Sequence, residues 1–167
     1  MAFELQPTLE GELVKLRPLR EDDFDALYAV ASDPLIWEQH PEPERCQEEV
    51  FRKFFRGAME SGGAFLVLDQ QDGRVIGSSR FYGYDEAASE IEIGWSFLAR
   101  SHWGGAYNGE MKRLMLQHAF QFVDNVVFLI GPNNVRSRRA IERVGGVLIG
   151  TRQAQGRESV VYRITHS

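Results

Sequence analysis

The segment Glu90-Ile91-Glu92-Ile93-Gly94-Trp95-Ser96-Phe97-Leu98-Ala99-Arg100-Ser101-His102-Trp103-Gly104-Gly105-Ala106-Tyr107-Asn108-Gly109-Glu110-Met111 decides how the rest of the chain is read. Its first part alternates apolar and polar residues, the period of a half-buried strand. Its end opens a helix with Met111, Leu114, Met115, His118 and Phe122 on one stripe. A strand that passes through small residues into a helix aims several unpaired backbone N–H groups at one point. The helix dipole adds positive potential there. Such a loop suits an anion; it also suits a tight crossover turn and nothing more. Residues 126–130 form the next strand, and a strand–helix–strand unit takes a right-handed crossover, so the two strands lie parallel.

Working outward, residues 64–68 and 74–84 precede residues 91–97 as closely spaced strands with short turns, a meander of antiparallel hairpins. Residues 13–17 read as a first strand that stops at Pro18. Glu21, Asp22 and Asp23 then open a helix whose apolar face is Phe24, Leu27, Tyr28 and Ala31. A second helix is expected over residues 44–61, with Val50, Phe54 and Met59 near one side and Gly62-Gly63 as its stop. A short helix over residues 137–144 and a hairpin of residues 147–152 and 159–164 close the chain. The expected class is α+β: a mixed, mostly antiparallel twisted sheet of about seven strands with helices on both faces.

The 167 residues suit one domain over 1–167, and a chain of this length buries roughly 70% of its unfolded surface. Nineteen basic against 24 acidic residues give a net charge of −5, which speaks against nucleic acid as the main partner. Apolar runs are far too short to span a membrane, and the start MAFELQPTLEGE lacks the pattern of a signal peptide. With Cys46 as its one cysteine, the chain is expected in the reducing cytoplasm, without a membrane partner. One cysteine and four scattered histidines suggest no metal site.

Three kinds of phosphate loop compete for residues 103–109. A nucleotide P-loop needs Gly-Lys-Ser/Thr at the helix start, which is absent. A dinucleotide fingerprint is a near miss at residues 104–109 and lacks the acidic residue at the end of the next strand. The third kind matches. Glu92-Ile93-Gly94-Trp95, Trp103-Gly104-Gly105-Ala106-Tyr107-Asn108-Gly109-Glu110 and Asn134-Val135-Arg136-Ser137-Arg138-Arg139-Ala140-Ile141-Glu142-Arg143-Val144-Gly145-Gly146 resemble the GNAT superfamily of acetyl-CoA-dependent N-acetyltransferases. The likeness is greatest to the branch of ribosomal-protein N-acetyltransferases.

The resemblance implies acetyl-CoA as co-substrate. Phe97, Leu98 and Ala99 would follow the pantetheine arm through backbone groups, and Trp103, Gly104, Gly105, Ala106, Tyr107 and Asn108 would cradle the pyrophosphate. Asn134 and Ser137 would lie near the thioester end. The sequence departs from the family by Ala106 and Asn108 at the loop's two small positions, and by Ile141 where many relatives carry a proton-donating tyrosine. Among Arg136, Arg138 and Arg139, Arg138 is a candidate for the coenzyme's 3′-phosphate; a solvated helix face is the alternative.

Acetyl transfer needs a neutral amine, a stabilised oxyanion and a proton for the leaving thiolate. Glu90 and Glu92 project from one sheet face, and Glu92, nearer the coenzyme end, is the expected base; a solvated edge pair is the alternative. A backbone N–H around Leu98 would hold the oxyanion. Ser137 would donate to the thiolate or cap its helix. Trp37, His40 and Phe65 would line the acceptor pocket or serve ordinary packing. Cys46 has no adjacent histidine to activate it, so the amine attacks directly. The expected function is an N-acetyltransferase acting on a small-molecule amine or a protein N-terminus. A non-catalytic acyl-CoA-binding or sensing domain is the alternative, a nicotinamide-binding module the third reading, and a homodimer stays open.

Overall fold

The computed structural model describes residues 2–154 and 156–166. Its strands are β1 (Leu9–Glu10), β2 (Val14–Pro18), β3 (Ala64–Asp69), β4 (Val75–Asp85), β5 (Glu90–Leu98), β6 (Asn125–Ile130), β7 (Val147–Ala154) and β8 (Arg157–Thr165). The helices are α1 (Phe24–Ala31), α2 (Glu48–Ser61), α3 (Ala106–Ala119) and α4 (Val135–Arg143). One sheet runs β1-β2-β3-β4-β5-β6-β8-β7, with β5 and β6 its parallel pair. The eighth strand, missed in the sequence, is β1: two residues too short to show a period, paired with Lys15 and Leu16.

Helices cover both faces. Met111 and Met115 of α3 pack with Phe81, Ile91, Ile93 and Val126, while Leu27 and Ala31 of α1 join Phe51, Phe54 and Phe55 of α2 over Leu66 and Phe97. Burying each large side chain contributes roughly 1.5–3 kcal/mol. The buried stripe of α2 is Phe51, Phe54, Phe55 and Ala58, a correction to Val50, Phe54 and Met59. That helix also begins later than residue 44: Pro43–Cys46 is a separate 3-10 turn, because Gln47 is extended at ψ 137°. Gly62 ends α2 in the left-handed region at φ +66°. The last short helix starts two residues earlier than expected. Asn134 caps it, its side chain accepting from the Ser137 N–H at 3.4 Å, so Ser137 lies inside the first turn and is not the cap.

Two buried polar ties fix the start of α3. The Glu110 carboxylate accepts from the backbone N–H groups of Leu13 at 2.8 Å and Val14 at 3.1 Å, which anchors α3 to β2. His102, just before the glycine loop, is buried and bonds through Nε2 to Asp69 Oδ2 at 2.7 Å, which anchors the loop to β3. His118 is satisfied in the core by the Glu4 carbonyl at 2.7 Å.

The sheet opens at one place. Pairing of β5 with β6 runs from Glu90↔Asn125 to Glu92↔Val127 and then stops, although β5 continues to Leu98 and β6 to Ile130. On its other side β5 carries a bulge between the pairs Gly94↔Arg80 and Phe97↔Ser78. Trp95 takes up the extra residue at φ +53°, a conformation rarely held by a bulky side chain. The bulge bends β5 away from β6.

Candidate active site

The opening between β5 and β6 is the mouth of a cleft with two adjoining chambers of about 390 and 170 Å³. Both are lined by His40, Ser96, Asn108, Asn134, Ser137 and Ala140, so they are one continuous space.

The smaller chamber is bounded by the glycine loop. Gly104 at φ +119° and Gly105 at φ +106° make the sharp turn, and Ala106 is already the first residue of α3. Ala106 therefore stands where no glycine is required. The N–H groups of residues 104–108 have no hydrogen-bond partner among the described residues; the first to be paired is Gly109, bonded to Gly105. A Cβ built on Gly104 or Gly105 would meet nothing within 4 Å, so the loop is not packed against its surroundings there. This fits a diphosphate: convergent N–H donors, no carboxylate, and the positive end of a helix of 14 residues.

Most of the residues expected at the coenzyme end gather here; the side chains of Ala99, Ala106, Tyr107 and Arg138 are the four that do not. Phe97, Leu98, Trp103, Gly104, Gly105 and Asn108 line the small chamber, together with Asn134 and Ser137. Ala99 does not, because its N–H is given to the Ile76 carbonyl across β4. The Leu98 carbonyl is also taken, by the Trp103 indole N–H at 2.9 Å. Arg138 lines neither chamber. Its guanidinium donates to the Tyr162 hydroxyl at 3.0 Å and the Pro132 carbonyl at 2.9 Å, a structural brace between α4 and β8. Arg136 and Arg143 are the arginines of this chamber. Arg136 lies 3.9 Å above the Trp103 ring and donates to the Ile36 carbonyl, so the pair forms a roof. Tyr107 contributes its N–H; its ring packs on His102.

The larger chamber carries the titratable groups. Glu92 sits there with its carboxyl pushed up to about 7, first by burial and then by Glu90, against the opposing pull of Arg152 and Arg80. Glu90 shares its sheet face and behaves differently: Arg152 grips it with bonds of 3.2 and 3.3 Å. Lys112 reaches the same chamber from α3, buried, with its Nζ donating to Ser96 Oγ at 2.8 Å. Burial alone pulls its ammonium down to about 7. Ser96 Oγ continues to Ser79 Oγ at 2.7 Å.

The acceptor wall differs from the expected trio. Phe65 is fully buried in the core against Phe81 and lines no chamber, because its strand is covered on both faces. Trp37 is 2% exposed and borders only the small chamber, its indole N–H bonded to the Ala31 carbonyl. His40 does line the cleft. Burial, and after it Arg45, lower its pKa to about 3, and its Nδ1 accepts from the Glu42 N–H at 2.9 Å. It is a neutral wall and too weak a base for an amine. Arg45, Tyr82, Trp95 and Arg157 complete the wall. Lys112 was legible as a lysine on the helix face of Asn108 and Met115, whereas nothing in the sequence brings Arg45 and Arg157 to Glu92. Ile141, 4% exposed, packs into the core and puts no hydroxyl in the cleft.

A mixed sheet parted beside a parallel pair puts free amides at one end of the cleft and a desolvated carboxyl at the other, an arrangement suited to an anion held beside a group that can exchange a proton. The sequence profile of the acetyltransferase (GNAT) domain matches residues 14–147, and the chain belongs to that family. Among solved structures, the fold resembles a GCN5-related N-acetyltransferase from Brucella melitensis: TM-score 0.81, 24% identity, covering 96% of this chain and 79% of that one. It resembles a protein of T. thermophilus, provisionally described as an acetyltransferase: TM-score 0.76, 27% identity, covering 99% and 91%. It also resembles Mycobacterium smegmatis RimJ, solved in complex with CoA-disulfide: TM-score 0.72, 19% identity, covering 96% and 86%. Among the described residues no helix is long and apolar enough to cross a membrane, and no group of His, Cys, Asp or Glu is placed to hold a metal ion.

Proposed function

We propose that this chain transfers an acetyl group from acetyl-CoA to a primary amine by direct attack on the thioester. The observation that carries this is the end of the β5–β6 ladder after Glu92↔Val127, which joins the unpaired loop amides and Glu92 in one cleft. Acetyl-CoA supplies the activated acyl group. The amides of residues 104–108 would hold its diphosphate, and Arg136 and Arg143 would face its remaining phosphate charge.

Glu92 takes the proton from the attacking amine. A carboxyl near 7 is matched to that task, since it is half ionised at neutral pH and a stronger base than an exposed glutamate. Backbone N–H groups of β5 beyond Glu92, which have no strand partner on the β6 side, stabilise the oxyanion. Ser137, inside both chambers and with no hydrogen bond to its hydroxyl among the described residues, donates to the departing thiolate. The acceptor class at this level is a small amine or a protein N-terminus, the latter suggested by branch resemblance.

Ile141 favours a second reading, an acyl-CoA-binding domain without turnover, because the proton-donating tyrosine of many relatives is absent. Release of free thiol from acetyl-CoA in the presence of amines separates the two. Binding is tested by thermal shift: acetyl-CoA and CoA are expected to add about 2.7 kcal/mol at 100 times their dissociation constant, and NAD nothing. Stabilisation by NAD alone would refute acetyl transfer.

A further inference from the structure

The chain has 24 acidic and 19 basic residues, yet four arginines gather around the Glu92 end of the cleft: Arg45 and Arg157 line it, while Arg80 and Arg152 line neither chamber but act on the Glu92 carboxyl through space. Two carboxylates engage three of them. Glu42 pairs with Arg45 and Arg157, and Glu90 pairs with Arg152. Arg80 has no such partner. It is 5% exposed, its side chain makes no hydrogen bond or ion pair among the described residues, and its Nε is buried without an acceptor. Its guanidinium lies 4.2 Å above the Trp95 ring and 5.6 Å from the Phe54 ring. Arg45, also 5% exposed, lies 4.7 Å from that same Phe54 ring, and its Nε is orphaned too.

Two guanidiniums beside one aromatic ring, in a dry place, repel each other and need anionic oxygens. Glu92 cannot serve this need while acting as base, because it loses its charge when it takes the amine proton. The positive surplus then grows at the moment of reaction. An acceptor with only cationic groups is repelled by such a wall. An acceptor with a carboxylate offsets the surplus, and the same field lowers the pKa of its amine toward the reactive neutral form. Trp95, held at φ +53°, and Tyr82, 5.1 Å from it, line the same wall, and about 390 Å³ suits a small molecule.

Building on acetyl transfer at this cleft, we propose that the acceptor is a small primary amine bearing a carboxylate, an amino acid in chemical class, whose carboxylate is received by Arg45 on the cleft wall, with Arg80, stacked on Trp95, adding to the positive field there. The test measures thiol release from acetyl-CoA with matched acceptors: an amino acid panel, the corresponding amino-acid amides, and the decarboxylated amines. Rates are expressed per neutral amine. Carboxylate-bearing acceptors are expected to exceed their partners by about 10–100-fold in kcat/KM, the scale of a charge-assisted hydrogen bond. Arg80→Gln and Arg45→Gln should each bring the ratio toward one. Retention of the acetyl-CoA thermal shift shows that a variant is folded; two arginines on different segments guard against a variant that is not.

Equal use of both acceptor types, preference for the carboxylate-free amine, or acetylation confined to peptide N-termini would overturn the assignment while leaving acetyl transfer intact. A preference that survives in both folded variants would overturn the role of these arginines. No thiol release with any amine, with the acetyl-CoA shift intact, would overturn the assignment and leave a binding domain. Loss of that shift in the unmutated protein would instead remove acetyl transfer itself.

Discussion

At the loop end of the cleft the binding groups are main-chain amides from one continuous segment, residues 104–108. At the other end they are side chains from distant parts of the chain: His40 and Arg45 before α2, Glu92 and Trp95 on β5, Lys112 on α3 and Arg157 on β8. The difference has a physical origin. A diphosphate is the same in every use of a coenzyme, and under the proposed function a helix N-terminus preceded by two left-handed glycines would bind it with groups that no substitution removes. An acceptor varies, and it is read by side chains that the tertiary fold assembles. The first region tolerates side-chain change and is sensitive to backbone conformation; the second is the reverse.

The largest effect belongs to the side-chain end. Glu92→Gln should lower kcat by about 10²–10⁴-fold, the range of general base catalysis, and leave the acetyl-CoA thermal shift unchanged. In the unmutated enzyme kcat/KM for the acceptor, expressed per neutral amine, should rise with pH through about 7 as the carboxyl ionises. A flat profile from pH 6 to 9 would show that Glu92 takes no proton.

Lys112 comes next and is read in stability. Its pKa falls from 10.5 to about 7 on folding, so the unfolded chain holds the proton more tightly. The stabilising state of this group is its neutral form. Its contribution is present above the unfolded value near 10.5 and is lost as pH falls through about 7. Lys112→Met should therefore gain on the unmutated protein as pH falls, by on the order of 4 kcal/mol between pH 10 and pH 6, measured by denaturant unfolding. A pH-independent difference would mean that the lysine is not neutral in the fold.

At the loop end, Gly105→Ala has room for the added Cβ but must hold φ +106°. The free loop should relax to relieve this strain of about 1–2 kcal/mol and take it up again on binding, so the Kd of acetyl-CoA should rise roughly 5–30-fold with little change in kcat at saturation. If kcat fell and Kd did not, the contrast between the two ends would be broken. The smallest effect is expected from Trp103→Ala, which removes the stack under Arg136 at 3.9 Å. That contact is worth about 0.5–1 kcal/mol, so a two- to fivefold loss of coenzyme affinity is expected by titration.

The loop end was largely legible before any coordinates. Small residues between a strand pattern and a helical stripe are contiguous in sequence, so Gly104 to Asn108 and the parallel crossover could be placed from local rules. The errors there are also local. Arg138 faces Tyr162 and not the cleft because a helix of nine residues presents adjacent arginines to different neighbours, and periodicity does not say which neighbour holds the coenzyme. The acceptor end was much less legible. Phe65 reads as any strand aromatic until the sheet is seen to be covered on both sides, and Arg80 reads as a polar strand residue until Phe54 and Trp95 are found around it.

Composition, period and the glycine loop thus determined the α+β class, the order of elements and the loop whose backbone amides are left unpaired, because each depends on neighbours along the chain. Which carboxyl is desolvated, which arginines gather at the acceptor wall and where the sheet parts were decided only in three dimensions. Glu90 and Glu92 differ by two residues on one strand face, yet Arg152 from β7 grips the first and leaves the second at about 7. Burial and charge act through space, and at this cleft the interacting groups lie far apart in sequence.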